Sequence, residues 1–104
     1  MRLELHPEAR AELRGAALWY DQRRVGLGDD FIGEVANTFD RIAESADSFP
    51  KWPGSREAFP LIRRATLQRF PYVIAFEKHD QVVVVLAVAH GKRRPLYWLS
   101  RAGR

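Results

Sequence analysis

The sequence predicts an α+β fold: an N-terminal strand and a helical hairpin packed on a three- to four-stranded antiparallel sheet, in a single domain spanning residues 1–104. Three observations carry that expectation. Apolar residues recur at helical spacing in two stretches of the first half, separated by a few residues that include Gly26 and Gly28. Three strand-like segments follow, two alternating and one continuously apolar. At 104 residues the chain is near the lower end of sizes that bury a core without staples, and it has no cysteine with which to make one.

Each element has a local reason. "RLEL" (Arg2–Leu5) alternates polar and apolar residues, as a half-buried strand does. Pro7 suits a first helical turn, where its missing N–H would have had no partner, and Glu8 and Glu12 suit the positive end of the helix dipole. The helix is expected to run to about Arg24, with Ala9, Leu13, Ala16, Ala17 and Tyr20 on its buried stripe. Gly26 and Gly28 should end it, and Asp29 should cap a second helix over about Asp30 to Ser45. That helix faces the core with Phe31, Val35, Phe39 and Ile42, flanked by Ile32, Ala36 and Ala43.

"SADSFPKWPGSREAFP", with Pro50, Pro53 and Pro60, reads as an irregular connection. "IRRATLQ" and "YVIAFEK" alternate as strands, and "HDQ" links the latter to "VVVVLAV" in a hairpin. So continuous a β-branched run implies a central strand covered on both faces, or one with a helix pair on one face and a partner on the other. The C-terminal "SRAGR" is expected to fray.

Composition narrows the function classes. Hydrophobic residues make up 46% and charged residues 29%, which excludes a disordered chain. The longest apolar run, Val82 to Ala89, is far short of the ~20 residues a membrane helix needs. The N-terminus has no apolar signal region, and a small domain without disulfides fits the cytoplasm. His6, His79 and His90 are scattered and no cysteine could complete a metal site, so neither metal nor cofactor is expected. His6 is expected to cap the first helix and His79 to be a solvated turn residue. No phosphate loop, dinucleotide fingerprint or serine-hydrolase elbow is present.

Charge is polarised. Residues 1–50 hold six Lys/Arg against ten Asp/Glu, whereas residues 51–104 hold eleven against three. No acid follows Asp80. Such asymmetry points to an anionic partner, either nucleic acid or an acidic protein segment. The densest stretch is "AVAHGKRRPLYWLSR", Ala87–Arg101, in which Lys92, Arg93 and Arg94 follow His90 and Gly91 and precede Tyr97 and Trp98. Two readings stand. Lys92, Arg93 and Arg94, with Arg63 and Arg64 on the first strand of the sheet, make electrostatic contacts to a protein target while Tyr97 and Trp98 act as anchors. Alternatively, His90 serves as general acid or base for RNA cleavage, with Arg93 and Arg94 stabilising the phosphorane and Tyr97 assisting. The tyrosine–tryptophan pair also fits a clasp that packs the C-terminus back onto the sheet.

The stretches "EARAELRGAALWYDQRRVGLGDDFIGEV", "RIAESADSFP", "IRRATLQRFPYVIAF" and "VVVLAVAHGKRRPLYW", in this order over almost the whole chain, resemble the RelE/ParE family of type II toxins, and within it the ParE-like branch. The resemblance implies a toxin whose cognate antitoxin wraps the sheet and helices with its C-terminal segment. ParE-like members are implied to bind and inhibit DNA gyrase without hydrolysing anything. RelE-like members are implied to be ribosome-dependent mRNA endonucleases that place basic residues and a tyrosine at the scissile phosphate. The strand "YVIAFEK" departs from a nuclease pattern, because it offers Glu77 and Lys78 rather than an array of cations.

Overall fold

The computed structural model describes residues 1–53 and 61–103. Residues 54–60, which include the Pro60 end of the connection, and Arg104 lie outside the described residues. The order is β1 (Arg2–Leu5), α1 (Pro7–Arg23), α2 (Leu27–Ser45), a short 3-10 turn (Ala46–Ser48), β2 (Ile62–Thr66), β3 (Tyr72–His79), β4 (Val82–His90) and a second 3-10 turn (Leu99–Arg101).

The sheet has the strand order β1-β4-β3-β2. The three C-terminal strands are antiparallel, as their hairpin spacing predicts, with a register shift at Ala75/Phe76. The N-terminal strand is not a separate element beside an antiparallel sheet. It joins the edge of β4 in parallel, Arg2 opposite Val82 and Leu5 opposite Val85, so the sheet is mixed. Parallel pairing needs a long crossover, and the helical hairpin and the strands beyond it supply one. This leaves β4 in the interior with both faces covered, which accounts for its unbroken apolar run.

The helices start and stop through glycine geometry and two side chains. His6 caps α1, its Nδ1 accepting from the Glu8 N–H. Gly26 sits at φ 92°, a backbone region costly for residues with a Cβ. Asp21 Oδ1 accepts the N–H groups of Gly26 and Gly28 at 2.9 and 3.1 Å, so α2 begins at Leu27, three residues earlier than expected. Asp29 therefore lies within the first turn and is not the cap. A Cβ at Gly28 would overlap the Ala17 carbonyl oxygen, so the two helices cross in contact there.

One core lies between helices and sheet. Ala9, Ala16 and Ala17 of α1 and Phe31, Val35 and Ile42 of α2 pack on Ala65, Ile74, Phe76, Val83, Val85 and Val88, with Leu13, Tyr20 and Phe39 at its margin. Ile32 and Ala36 do not widen that face; both are exposed, because the buried stripe of α2 runs through Thr38 instead. The opposite face of the sheet carries a second core of Ile62, Ala75, Val84, Leu86, Ala87 and Ala89, closed by Trp98 with Trp52, Leu96 and Tyr97. His79 is not a turn residue. It ends β3 opposite Val82, the turn is Asp80–Gln81, and its Nε2 lies 2.9 Å from the buried Glu77 carboxyl.

Candidate functional site

β4 leaves the sheet at His90 and enters a basic turn. Gly91 N–H donates to the Pro71 carbonyl, Lys92 N–H to His90 Nδ1 at 3.0 Å, and Arg93 N–H to the His90 carbonyl. These bonds hold Lys92, Arg93 and Arg94 outward, and all three are exposed. The chain then reverses through Pro95 and Leu96. Leu96 has φ 63°, an uncommon value for a residue with a branched side chain, which the packing on either side must enforce.

A carboxylate of α1 holds the first part of the segment beyond the reversal. Glu12 of α1 accepts the Val88 N–H at 3.0 Å, the Tyr97 hydroxyl at 2.6 Å, and both Arg101 Nη atoms at 3.0 and 3.1 Å. Arg101 also donates to the Leu86 carbonyl at 2.9 Å. A bidentate, nearly buried pair of this kind is among the stronger polar contacts a protein makes. The Tyr97 ring in turn carries the Arg93 guanidinium 3.9 Å from its centroid. Burial first, and the bond to Glu12 second, push the Tyr97 phenol far above its ordinary value of 10.0.

The tail expected to fray is thus fastened as far as Gly103, its last described residue. Beyond Arg101, the Gly103 N–H donates to both oxygens of Glu77, whose side chain is fully buried. Trp98 is 1% exposed and packs edge-on against Trp52. It cannot touch a partner in this arrangement, so the expected surface anchor is a core residue. The clasp reading of the pair is the one that matches its position.

The structure brings His90, Lys92, Arg93, Arg94 and Tyr97 together at the exit of β4, but not Arg63 and Arg64. These lie on β2, with β3 between them and β4. They point to opposite faces, as neighbours on a strand must. Arg63 Nη1 donates to the Phe49 carbonyl at 2.7 Å and ties down the connection after α2. Arg64 is half-buried, and its Nε has no hydrogen-bond partner among the described residues.

Beside the basic turn, α1 and the strand ends enclose an open groove of about 580 Å³. Ala16, Tyr20, Tyr72 and Val88 give it apolar surface, Trp19 stands half-exposed at its rim, and His90 and Arg93 supply polarity. His90 packs edge-on against Tyr72, ring centroids 5.1 Å apart. Burial holds the Tyr20 and Tyr72 phenols above their ordinary value, so they are neutral apolar walls. Chemically the arrangement offers exposed cations beside an apolar trough. The Tyr97 hydroxyl is committed to Glu12, and His90 Nδ1 accepts from the Lys92 backbone N–H. Among the described residues no group of His, Cys, Asp and Glu could hold a metal ion, and no helix is long and apolar enough to cross a membrane.

Glu12, Glu77 and Asp21 were not legible as functional or structural centres. Glu12 reads as an acid favouring the helix dipole. The signal that distinguishes it is its place among Ala9, Leu13 and Ala16, on the edge of the buried stripe, in a chain whose C-terminal half is cationic.

Comparison with known proteins gives this arrangement its context. A solved chain described as "Chromosomal ParDE TA system from P. aeruginosa" superposes with a TM-score of 0.72 at 18% identity, covering 86% of this chain and 95% of that one. No curated protein matches the sequence. The family model for the ParE toxin of the type II toxin–antitoxin system parDE matches residues 3–95, nearly everything from β1 through the basic turn. The chain belongs to the ParE toxin family of type II toxin–antitoxin systems.

Proposed function

We propose that this ParE toxin acts without catalysis, by binding a protein target through its basic turn, and that the target is DNA gyrase. Lys92, Arg93 and Arg94 supply the electrostatic contacts and the adjoining groove accepts apolar side chains. Tyr97 takes part as the platform under Arg93, and Trp98 only as the buried post that holds the segment. Arg63 and Arg64 lie away from this surface and contribute to the cationic field alone. A cognate antitoxin is the toxin's partner, and it neutralises the toxin in the cytoplasm by wrapping the sheet and helices with its C-terminal segment. The similarity to a chain from a ParDE system supports that partnership.

One observation carries the non-catalytic reading: the Tyr97 hydroxyl donates to Glu12 at 2.6 Å and faces inward while the cations face outward. A nuclease built on His90, Arg93, Arg94 and Tyr97 needs that hydroxyl at a phosphate. The test is a supercoiling assay with purified gyrase and a DNA-cleavage readout. Inhibition by the wild type, lost in the Lys92→Ala, Arg93→Ala, Arg94→Ala triple variant, is expected. Unimpaired supercoiling at excess toxin, or cutting of ribosome-bound mRNA abolished by His90→Ala, overturns it in favour of the endonuclease.

A further inference from the structure

The basic turn is short, exposed and followed by a strained reversal, yet its central cation is stacked on a ring. The geometry points to Glu12 as a positioning residue for the target-binding surface: by holding Tyr97 and Arg101 from α1, it sets the ring on which Arg93 lies and so the direction in which residues 92–94 present their charge.

The chain of contacts is continuous. The Glu12 carboxylate takes the Tyr97 hydroxyl at 2.6 Å and the Arg101 guanidinium at 3.0 and 3.1 Å, and the Tyr97 ring lies between Arg93, 3.9 Å away, and Arg101, 5.4 Å away. Glu12 also accepts the Val88 N–H, so the strand that delivers the turn and the ring that receives it share one anchor. The bonds within the turn itself, Arg93 N–H to His90 carbonyl and Lys92 N–H to His90 Nδ1, fix the backbone but reach none of the cationic heads. The Tyr97 ring does reach one, that of Arg93. Leu96 at φ 63° separates ring from turn, so without an outside anchor the reversal would relax and carry the ring away from Arg93.

For its binding arm the inference rests on the proposed role of the basic turn, and the test separates the two. Glu12→Gln and Tyr97→Phe are each combined with Arg93→Ala, and affinity for purified gyrase is measured for singles and doubles. Positioning predicts that Glu12→Gln weakens binding on the order of tenfold in the wild-type background and not at all once Arg93 is absent, a coupling of the size contacting residues show. Additive losses overturn it, since a residue that only stabilises the fold weakens binding alike with or without Arg93.

Should Arg93→Ala leave gyrase binding unchanged, the proposed target surface fails. The positioning then stands or falls on an independent signal, the NMR resonance of the Arg93 Nε–H group, which the Tyr97 ring current shifts. Loss of that shift in Glu12→Gln, with the amide spectrum otherwise folded, supports the inference. A retained shift overturns it. Tyr97→Phe keeps the ring but not the hydroxyl, and supplies the same readout if Glu12→Gln fails to fold.

Discussion

The two faces of the sheet are covered by different means. The inner face lies under two helices, each of which satisfies its own backbone and contributes apolar side chains such as Phe31, Val35 and Ile42. The outer face lies under Trp52 and the few residues that follow the basic turn, with one 3-10 turn among them. A segment so short cannot pair its own polar groups, so the body of the protein must supply partners. It does so with two acids, Glu12 and Glu77, that take the Tyr97 hydroxyl, the Arg101 guanidinium and the Gly103 N–H. Where a cover is regular, apolar pattern suffices. Where it is irregular, buried carboxylates do the fastening.

That contrast can be broken. Phe31→Ala should cost about 3–5 kcal/mol in urea unfolding, with every probe reporting the same transition. Trp98→Ala should lie near the low end of that range and act locally: hydrogen exchange should speed up at Ala102 and Gly103 while the α2 amides keep their protection. Uniform loss of protection would show that the two faces form one cooperative unit.

A smaller effect tests the latch itself. Glu77→Leu leaves the Gly103 N–H and the half-buried His79 ring without their acceptor, and should cost about 1.5–3 kcal/mol, the scale of hydrogen bonds to a charged group. Unchanged urea stability would mean that the carboxylate is incidental to the tail.

Tyr97→Phe should show the least, about 1 kcal/mol at neutral pH, with a sign that identifies its origin. The Tyr97 phenol is raised on folding, so its contribution is complete below the unfolded value of 10.0 and declines as pH rises beyond it. The stability gap between wild type and variant should therefore narrow above pH 10. A gap that widens there would exclude the Glu12 bond as its source.

Most of the fold was legible because it rests on local signals. Pro7, the alanine stripe and the Gly26 break define α1, and the β-branched run from Val82 marks a strand that is covered on both sides. The parallel seating of β1 was not legible, since pairing Arg2 with Val82 leaves no trace in either segment alone. The site divided the same way. Three adjacent cations announce a basic surface, and their exposure agrees with that. Trp98 misled as an anchor because an aromatic residue after a proline reads alike whether it faces a partner or a core. Glu12 and Glu77 stayed hidden because their value comes from groups far away in sequence, Tyr97 and Gly103 among them.

The parallel seam between β1 and β4 also bears on how the protein is made. The first strand to leave the ribosome pairs with the last, and Glu12 waits for groups at residues 88, 97 and 101. Loop closure over such separations has to be met before any of these contacts rewards it. A product of interrupted translation that ends before Val82 holds the helical hairpin but no seat for Arg2–Leu5, no partner for Glu12 and no cationic turn. Incomplete synthesis therefore yields a fragment that lacks both the cationic turn and the groups that Glu12 holds.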